Sequence, residues 1–190
     1  MSKLPNISFV GSTAVGKTTL VKKLSTMSEF GQWKFIESVG DLVDWRPDTN
    51  DEVAIAKYNQ ERHVKLSQAY YDSWLGGPSV VTDRYFIDRL AWELAWPSSL
   101  YHDRLAGAAL EATLTYAAST ILFYIPIEFE LAESSRGPHY GIREAYAEKI
   151  HQLIQVLPVE VTSIGGSVEA RIDQILIRLR QEEISLGESL

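Results

Sequence analysis

Residues Gly11-Ser12-Thr13-Ala14-Val15-Gly16-Lys17-Thr18 place two glycines around a four-residue gap, with a Lys-Thr pair directly after the second. That is G-x-x-x-x-G-K-[ST] at every fixed position. Each residue type has a chemical reason for its place. Glycines let the backbone bend so that successive N–H groups face one anion. A helix opening at the loop adds free donors and a favourable dipole. A lysine at position 17 reaches the β- and γ-phosphates of a nucleoside triphosphate, and the Thr18 hydroxyl is placed to hold Mg²⁺. The flanks agree, because Ile7-Ser8-Phe9-Val10 is a buried-strand pattern and Thr19-Leu20-Val21-Lys22-Lys23-Leu24 begins a helix. A tight strand–turn–helix corner would need the glycines but neither Lys17 nor Thr18. Gly11 to Thr19 is therefore the expected ATP-binding segment, with Mg²⁺ carried by the nucleotide.

Further candidates for chemistry are acids and arginines placed beside that loop. In open parallel sheets, ligands bind outside the carboxyl ends of the strands. Glu37 follows the apolar run Lys34-Phe35-Ile36, and Asp83 follows Val80-Val81-Thr82. Asp83 either orients Mg²⁺ or bonds an acceptor substrate, with Arg84 beside it on the acceptor. Glu37 is a candidate general base toward an attacking hydroxyl, a role worth roughly 10²–10⁴-fold in rate. A solvated strand-end carboxylate or a helix cap is the plainer alternative for both. Arg136 and Arg143 flank a segment containing glycine and proline, residues 134–143. Arginines on a mobile lid would neutralise a transferring phosphoryl group and exclude water, whereas solvated surface arginines would do neither. Tyr58 and Arg62 lie one helical turn apart and share a face, where they could meet an acceptor sugar or phosphate or simply pack. Trp45 could stack on a base.

The elements that must position these residues are legible as alternating patterns. Strands are expected at Ile7 to Val10, Lys34 to Ile36, Val80 to Thr82, Thr120 to Ile125 and Val159 to Ile164. Helical spacing fills Lys17 to Met27, Asp51 to Leu75, Ile87 to Ala95, Leu100 to Ala118, Arg143 to Leu157 and Val168 to Glu182, with a frayed tail beyond. The second helix is expected to be capped near Thr49 or Asn50 and to end at Gly76-Gly77-Pro78. Strands alternating with helices imply an α/β fold: a three-layer α/β/α sandwich with a five-stranded, mostly parallel sheet. No repeat or linker divides the 190 residues, so a single domain is expected over 1–190.

Resemblances sharpen the functional expectation. Val80-Val81-Thr82-Asp83-Arg84-Tyr85, followed by Leu90-Ala91-Trp92-Glu93, resembles the Asp-Arg-Tyr segment of thymidylate kinases and the Glu-Arg-Ser segment of deoxynucleoside kinases. The resemblance implies that Asp83 and Arg84 sit at the acceptor and phosphoryl-transfer site. Phe35-Ile36-Glu37-Ser38-Val39, with Trp45 beyond, resembles the Glu-Pro-Val…Trp region of deoxynucleoside kinases, where the glutamate is the base toward the sugar 5′-hydroxyl. Here Ser38 stands in place of that family's proline. Tyr140-Gly141-Ile142-Arg143, Glu148 to Ile154 and Val168 to Arg171 are similar to small P-loop ATPases related to nicotinamide riboside kinases. The fold these resemblances imply is that of P-loop NTPases, with a homodimer as one allowed assembly.

Composition removes other classes. The net charge is −7, which disfavours an extended nucleic-acid interface. There is no cysteine, so disulfides, thiolate metal sites and a cysteine nucleophile are excluded. His63, His102, His139 and His151 show no metal-ligand spacing. No window has the ~18 apolar residues of a membrane span, and Met1 to Pro5 lacks a signal-peptide core. The expected protein is a cytoplasmic kinase moving the γ-phosphoryl of ATP to a nucleoside or nucleoside monophosphate. Nicotinamide riboside or a modified base are other acceptors. A regulatory ATPase that binds a protein partner is the alternative from another class.

Overall fold

The computed structural model describes residues 3–47, 51–95, 102–130 and 140–187. In chain order these form β1 (Asn6–Val10), α1 (Lys17–Leu24), β2 (Lys34–Ile36), α2 (Glu52–Trp74), β3 (Val80–Thr82), α3 (Phe86–Ala95), α4 (His102–Tyr116), β4 (Thr120–Tyr124), α5 (Arg143–Val156), β5 (Val161–Ser163) and α6 (Val168–Gly187). The strands make one sheet of order β2-β3-β1-β4-β5. All four pairings are parallel, so the sheet is wholly rather than mostly parallel.

β1 lies at the centre and every residue in it is buried. Its side chains alternate between two apolar layers, as the two-residue strand period requires. Ile7 and Phe9 pack with Leu20, Val21 and Leu24 of α1 and with Ile172 and Ile175 of α6. Val10 joins the opposite layer, with Tyr70 of α2, Phe86 and Leu90 of α3, Ala109 of α4 and Ile150 of α5. The result is three layers with helices on both faces. The chain runs from β1 out to β2, back to β3, and then across β1 to β4. Connections therefore leave the neighbouring strands β1 and β3 in opposite directions, and such a reversal opens a crevice at the strands' carboxyl ends.

α2 is 23 residues long, about 35 Å at 1.5 Å per residue. Its N-cap is Asp51, whose Oδ1 accepts from the Ala54 N–H at 2.9 Å. The expected caps, Thr49 and Asn50, lie outside the described residues. The far end closes on glycine as expected: Gly76 N donates to Ser73 O (3.0 Å) and Gly77 N to Asp72 O (2.9 Å), the paired bonds of a Schellman motif. α1 stops earlier than its spacing predicts. Ser25 Oγ donates to Lys22 O (2.9 Å) and Thr26 Oγ1 to Lys23 O (2.8 Å), satisfying carbonyls that another helical turn would have used. β5 is shorter than expected because it is an edge strand, paired to β4 only from Val161 to Ser163. α6 continues to Gly187 where fraying was expected. Among the described residues no helix is long and apolar enough to cross a membrane.

Removing the Asp51 cap frees one donor at the start of α2. Asp51→Ala is expected to lower stability by about 1 kcal/mol and the melting temperature by roughly 2–4 °C, read by thermal circular dichroism.

Candidate functional site

The loop after β1 folds back sharply, because Gly11 has φ +156° and a Cβ there would lie 2.5 Å from the Ile125 carbonyl oxygen. For its N–H groups to face an anion, its carbonyls must turn elsewhere and be satisfied there. Arg143 Nε donates to Thr13 O (3.2 Å) and Arg171 Nη1 to Val15 O (2.8 Å). Gly16 O accepts from Leu20 N (2.9 Å) inside α1. Lys17 Nζ donates to Gly11 O and Ser12 O, both at 2.5 Å. Ser12 Oγ donates to Arg143 O at 2.7 Å, which ties the loop to α5 a second time. Arg171 is itself held by Glu128 at 2.6 Å, and the Glu128 carboxylate also takes the Gly166 N–H at 2.9 and 3.0 Å.

β3 delivers the next residues to the loop. Thr18 Oγ1 donates to Asp83 Oδ2 at 2.8 Å, while Asp83 Oδ1 accepts from the Val39 N–H at 3.0 Å. Asp83 is buried. Thr82 beneath it belongs to a buried hydroxyl cluster with Ser8 and Tyr70, in which Ser8 Oγ and Thr82 Oγ1 lie 2.7 Å apart. Burial pushes the Tyr70 phenol up to about 12, so it stays neutral. Arg84, next in the chain, reaches Asp88 Oδ1 and the Tyr146 hydroxyl, each at 3.3 Å.

Asp88 stands in no motif, yet it touches both the loop and Arg84. It sits in the third position of α3 and accepts from the Tyr85 N–H there, the bond that an N3 acid makes at a helix start. Its Oδ1 also accepts from the Gly11 N–H at 3.3 Å. Burial raises its pKa, against the pull of Lys17, Arg84 and those two backbone donors. Burial and, second, the Arg84 charge lower the Lys17 pKa to about 7.

No protein-family model and no curated protein sequence match the chain. Its fold does match solved structures. One is the YorR protein of Bacillus subtilis in complex with phosphorylated GDP. It matches with a TM-score of 0.55 over 93% of this chain and 96% of that one, at 16% sequence identity. The chain has a P-loop NTPase-like fold. The likeness is one of fold, and the chemistry has to be argued from the residues.

Within the P-loop fold, the structure brings together Lys17, Thr18, Asp83 and Arg84, and adds Asp88. Glu37 also follows a strand end, but it is exposed and its Oε1 accepts from Ser25 Oγ (3.3 Å), just beyond the far end of α1. Trp45 folds back on α2: its Nε1 donates to Glu61 (2.8 Å) and its ring meets Tyr58 edge-on at 5.6 Å. Arg136 lies outside the described residues. Arg143 departs most from expectation. It is the first residue of α5, as its helical spacing predicts, but it is 1% exposed and bonds backbone carbonyls rather than standing free to close on a phosphate. Its Nη1 donates to Phe129 O (3.0 Å) and its guanidinium lies 5.6 Å from the Phe129 ring centroid. Helical spacing carried this signal. Arg143 shares a face with Tyr146, Ile150 and Leu153, all buried, and Arg171 shares one with Ile172 and Ile175.

Arg143 therefore acts on the P-loop backbone. Arg143→Ala leaves two carbonyls without their donor, at roughly 1–3 kcal/mol each when buried. The expected result is a melting temperature lower by about 5–10 °C, together with weakened nucleotide binding. A lid arginine would instead lose turnover with the melt unchanged.

Proposed function

We propose that the chain is an ATP-dependent phosphotransferase that passes the γ-phosphoryl group to a small nucleoside or nucleoside monophosphate. The observation that carries this reading is the 2.8 Å bond between Thr18 at the mouth of the P-loop and Asp83 at the end of β3, with Arg84 directly after it. An acid that meets the P-loop threonine serves any P-loop NTPase. A transferase also needs positive charge on the transferred group, and Arg84 directly after Asp83 is the candidate for it, because phosphoryl transfer is mainly positioning and charge stabilisation. That YorR was solved with a phosphorylated guanine nucleotide supports a nucleotide in this fold.

The residues divide the work as follows. Lys17 exchanges the Gly11 and Ser12 carbonyls for the β- and γ-phosphates. The P-loop N–H groups and the start of α1 receive the remaining phosphate oxygens. Thr18 and Asp83 supply two oxygen donors of the type Mg²⁺ prefers, and Mg²⁺ usually keeps waters and phosphate oxygens for its other positions. When bound, that ion contributes charge neutralisation across the β- and γ-phosphates. Arg84, braced by Asp88 and Tyr146, faces the transferred group. The bond from the γ-phosphorus to its bridging oxygen breaks, ADP leaves with those electrons, and an acceptor oxygen forms the new bond. A hydroxyl acceptor must also lose a proton, and Glu37 could take it only by leaving Ser25 at the far end of α1. A cytoplasmic location, where ATP and Mg²⁺ are supplied, suits this reading.

The test is ADP production measured across a panel of nucleosides and nucleoside monophosphates. Acceptor-stimulated turnover is expected, abolished in Lys17→Met and reduced at least roughly 10²-fold in Asp83→Asn, the scale of losing one group that stabilises transition-state charge. Basal hydrolysis that no acceptor stimulates, but that a protein partner alters, would favour a regulatory ATPase.

The lowered Lys17 pKa sets a pH signature. Free Lys17 loses its proton near pH 7, whereas phosphates beside it raise its pKa in the complex. Binding above pH 7 must then take up a proton, so affinity falls as pH rises, by up to about tenfold per unit. Calorimetry with Mg-ADP at pH 8 and 9, in buffers of different ionisation heat, is expected to report uptake approaching one proton, and none in Lys17→Met.

A further inference from the structure

We infer that the acceptor cleft is built for a phosphomonoester, with Arg62 as the residue that selects it, so that a nucleoside monophosphate rather than a neutral nucleoside is the acceptor. This rests on the phosphotransfer reading and narrows it. Three arginines from three elements lie within electrostatic reach of one another: Arg62 on α2 with Arg84 after β3, and Arg62 with Arg89 on α3. The acids around them are already engaged. Asp83 holds Thr18 and the Val39 N–H. Asp88 pairs with Arg84 and takes the Gly11 and Tyr85 N–H groups. Glu93 pairs with Arg89 one helical turn away.

Among the described residues Arg62 has no such carboxylate. Its guanidinium lies 5.2 Å from the Tyr58 ring centroid, and its Nε, like those of Arg89 and Arg171, is buried without a hydrogen-bond partner, so the missing carboxylate is what sets Arg62 apart. Tyr58 is fixed in turn, donating to Gly40 O at 3.2 Å. Burial disfavours the Arg62 charge, and Arg84 adds repulsion while Asp83 opposes it. Arg62 and Arg89 also repel one another. Arginine does not neutralise itself by losing its proton, so a charge held in this way is relieved by an anion. The planar fork of Arg62 and the neighbouring Arg84 suit the oxygens of a phosphate dianion. A neutral sugar hydroxyl would leave the repulsion in place. A phosphate oxygen also arrives ionised and needs no base, which agrees with Glu37 bonding Ser25 at the end of α1.

The test pairs turnover with direct binding. In the ADP assay, nucleoside monophosphates are expected to stimulate and the matching nucleosides not. Arg62→Gln should raise KM for the monophosphate at least tenfold with a smaller change in kcat. Arg62→Lys, which keeps the charge without the fork, should recover part of that loss. Lys65→Gln, an exposed charge on the same helix, should change neither value. Calorimetry reads the subsite without turnover: monophosphates should bind the wild-type chain and bind Arg62→Gln at least tenfold more weakly, with melting curves confirming that each variant is folded. Monophosphate binding without any stimulated turnover keeps the subsite and sinks only the transfer reading. Nucleosides that stimulate as well as their monophosphates, or an Arg62→Gln variant with unchanged monophosphate KM and affinity, overturn the inference.

Discussion

An anion-binding loop works only if its carbonyls are turned away from the anion. Here that turning is done from outside the loop. Arg143 on α5 takes the Thr13 carbonyl and Arg171 on α6 takes the Val15 carbonyl, while α1 takes that of Gly16. The inner carbonyls of Gly11 and Ser12 are held by Lys17. Two buried arginines are an expensive way to hold a loop, since each charge leaves water. Their carbonyl bonds, the Glu128 carboxylate and the Phe129 ring offset that cost. They also place fixed positive charge behind the loop.

The second constraint is the sheet order. Because β1 and β3 are neighbours whose connections diverge, the loop after one faces the acid and arginine after the other. Thr18 and Asp83 meet only for that reason. Asp88 then links the two sides, bonding the first N–H of the loop and the Arg84 guanidinium from one buried carboxylate. A change at Arg84 therefore has a short route to the loop, through a single side chain.

The uneven legibility of the site follows from these facts. The glycine loop, the strand-end acids and the helix spans rest on local rules of backbone geometry and periodicity, and the structure places the strands and helices close to those patterns. The differences at the ends of α1 and β5 come from side-chain bonds and edge pairing that periodicity does not encode. Glycine and proline nearby suggest a lid role for Arg143, whereas its spacing to Tyr146 and Ile150 puts it on a buried face of α5. Asp88 stands in no motif that separates it from any other helical acid. The Arg136 position adds nothing, lying outside the described residues.

By itself the sequence determined the triphosphate loop, the α/β class and the approximate elements, because these depend on residues close together in the chain. Tertiary structure alone decided which charges are spent and which are free. Arg62, Arg84, Arg89, Arg143 and Arg171 are equal on the page of letters. In the fold, Arg143 and Arg171 bond backbone carbonyls and Arg84 and Arg89 pair with carboxylates four residues on, whereas Arg62, among the described residues, has only the Tyr58 ring beside it. The distinction arises from which acceptors lie within about 3 Å of each guanidinium, and only the packing of α2, α3, α5 and α6 around the sheet sets those distances.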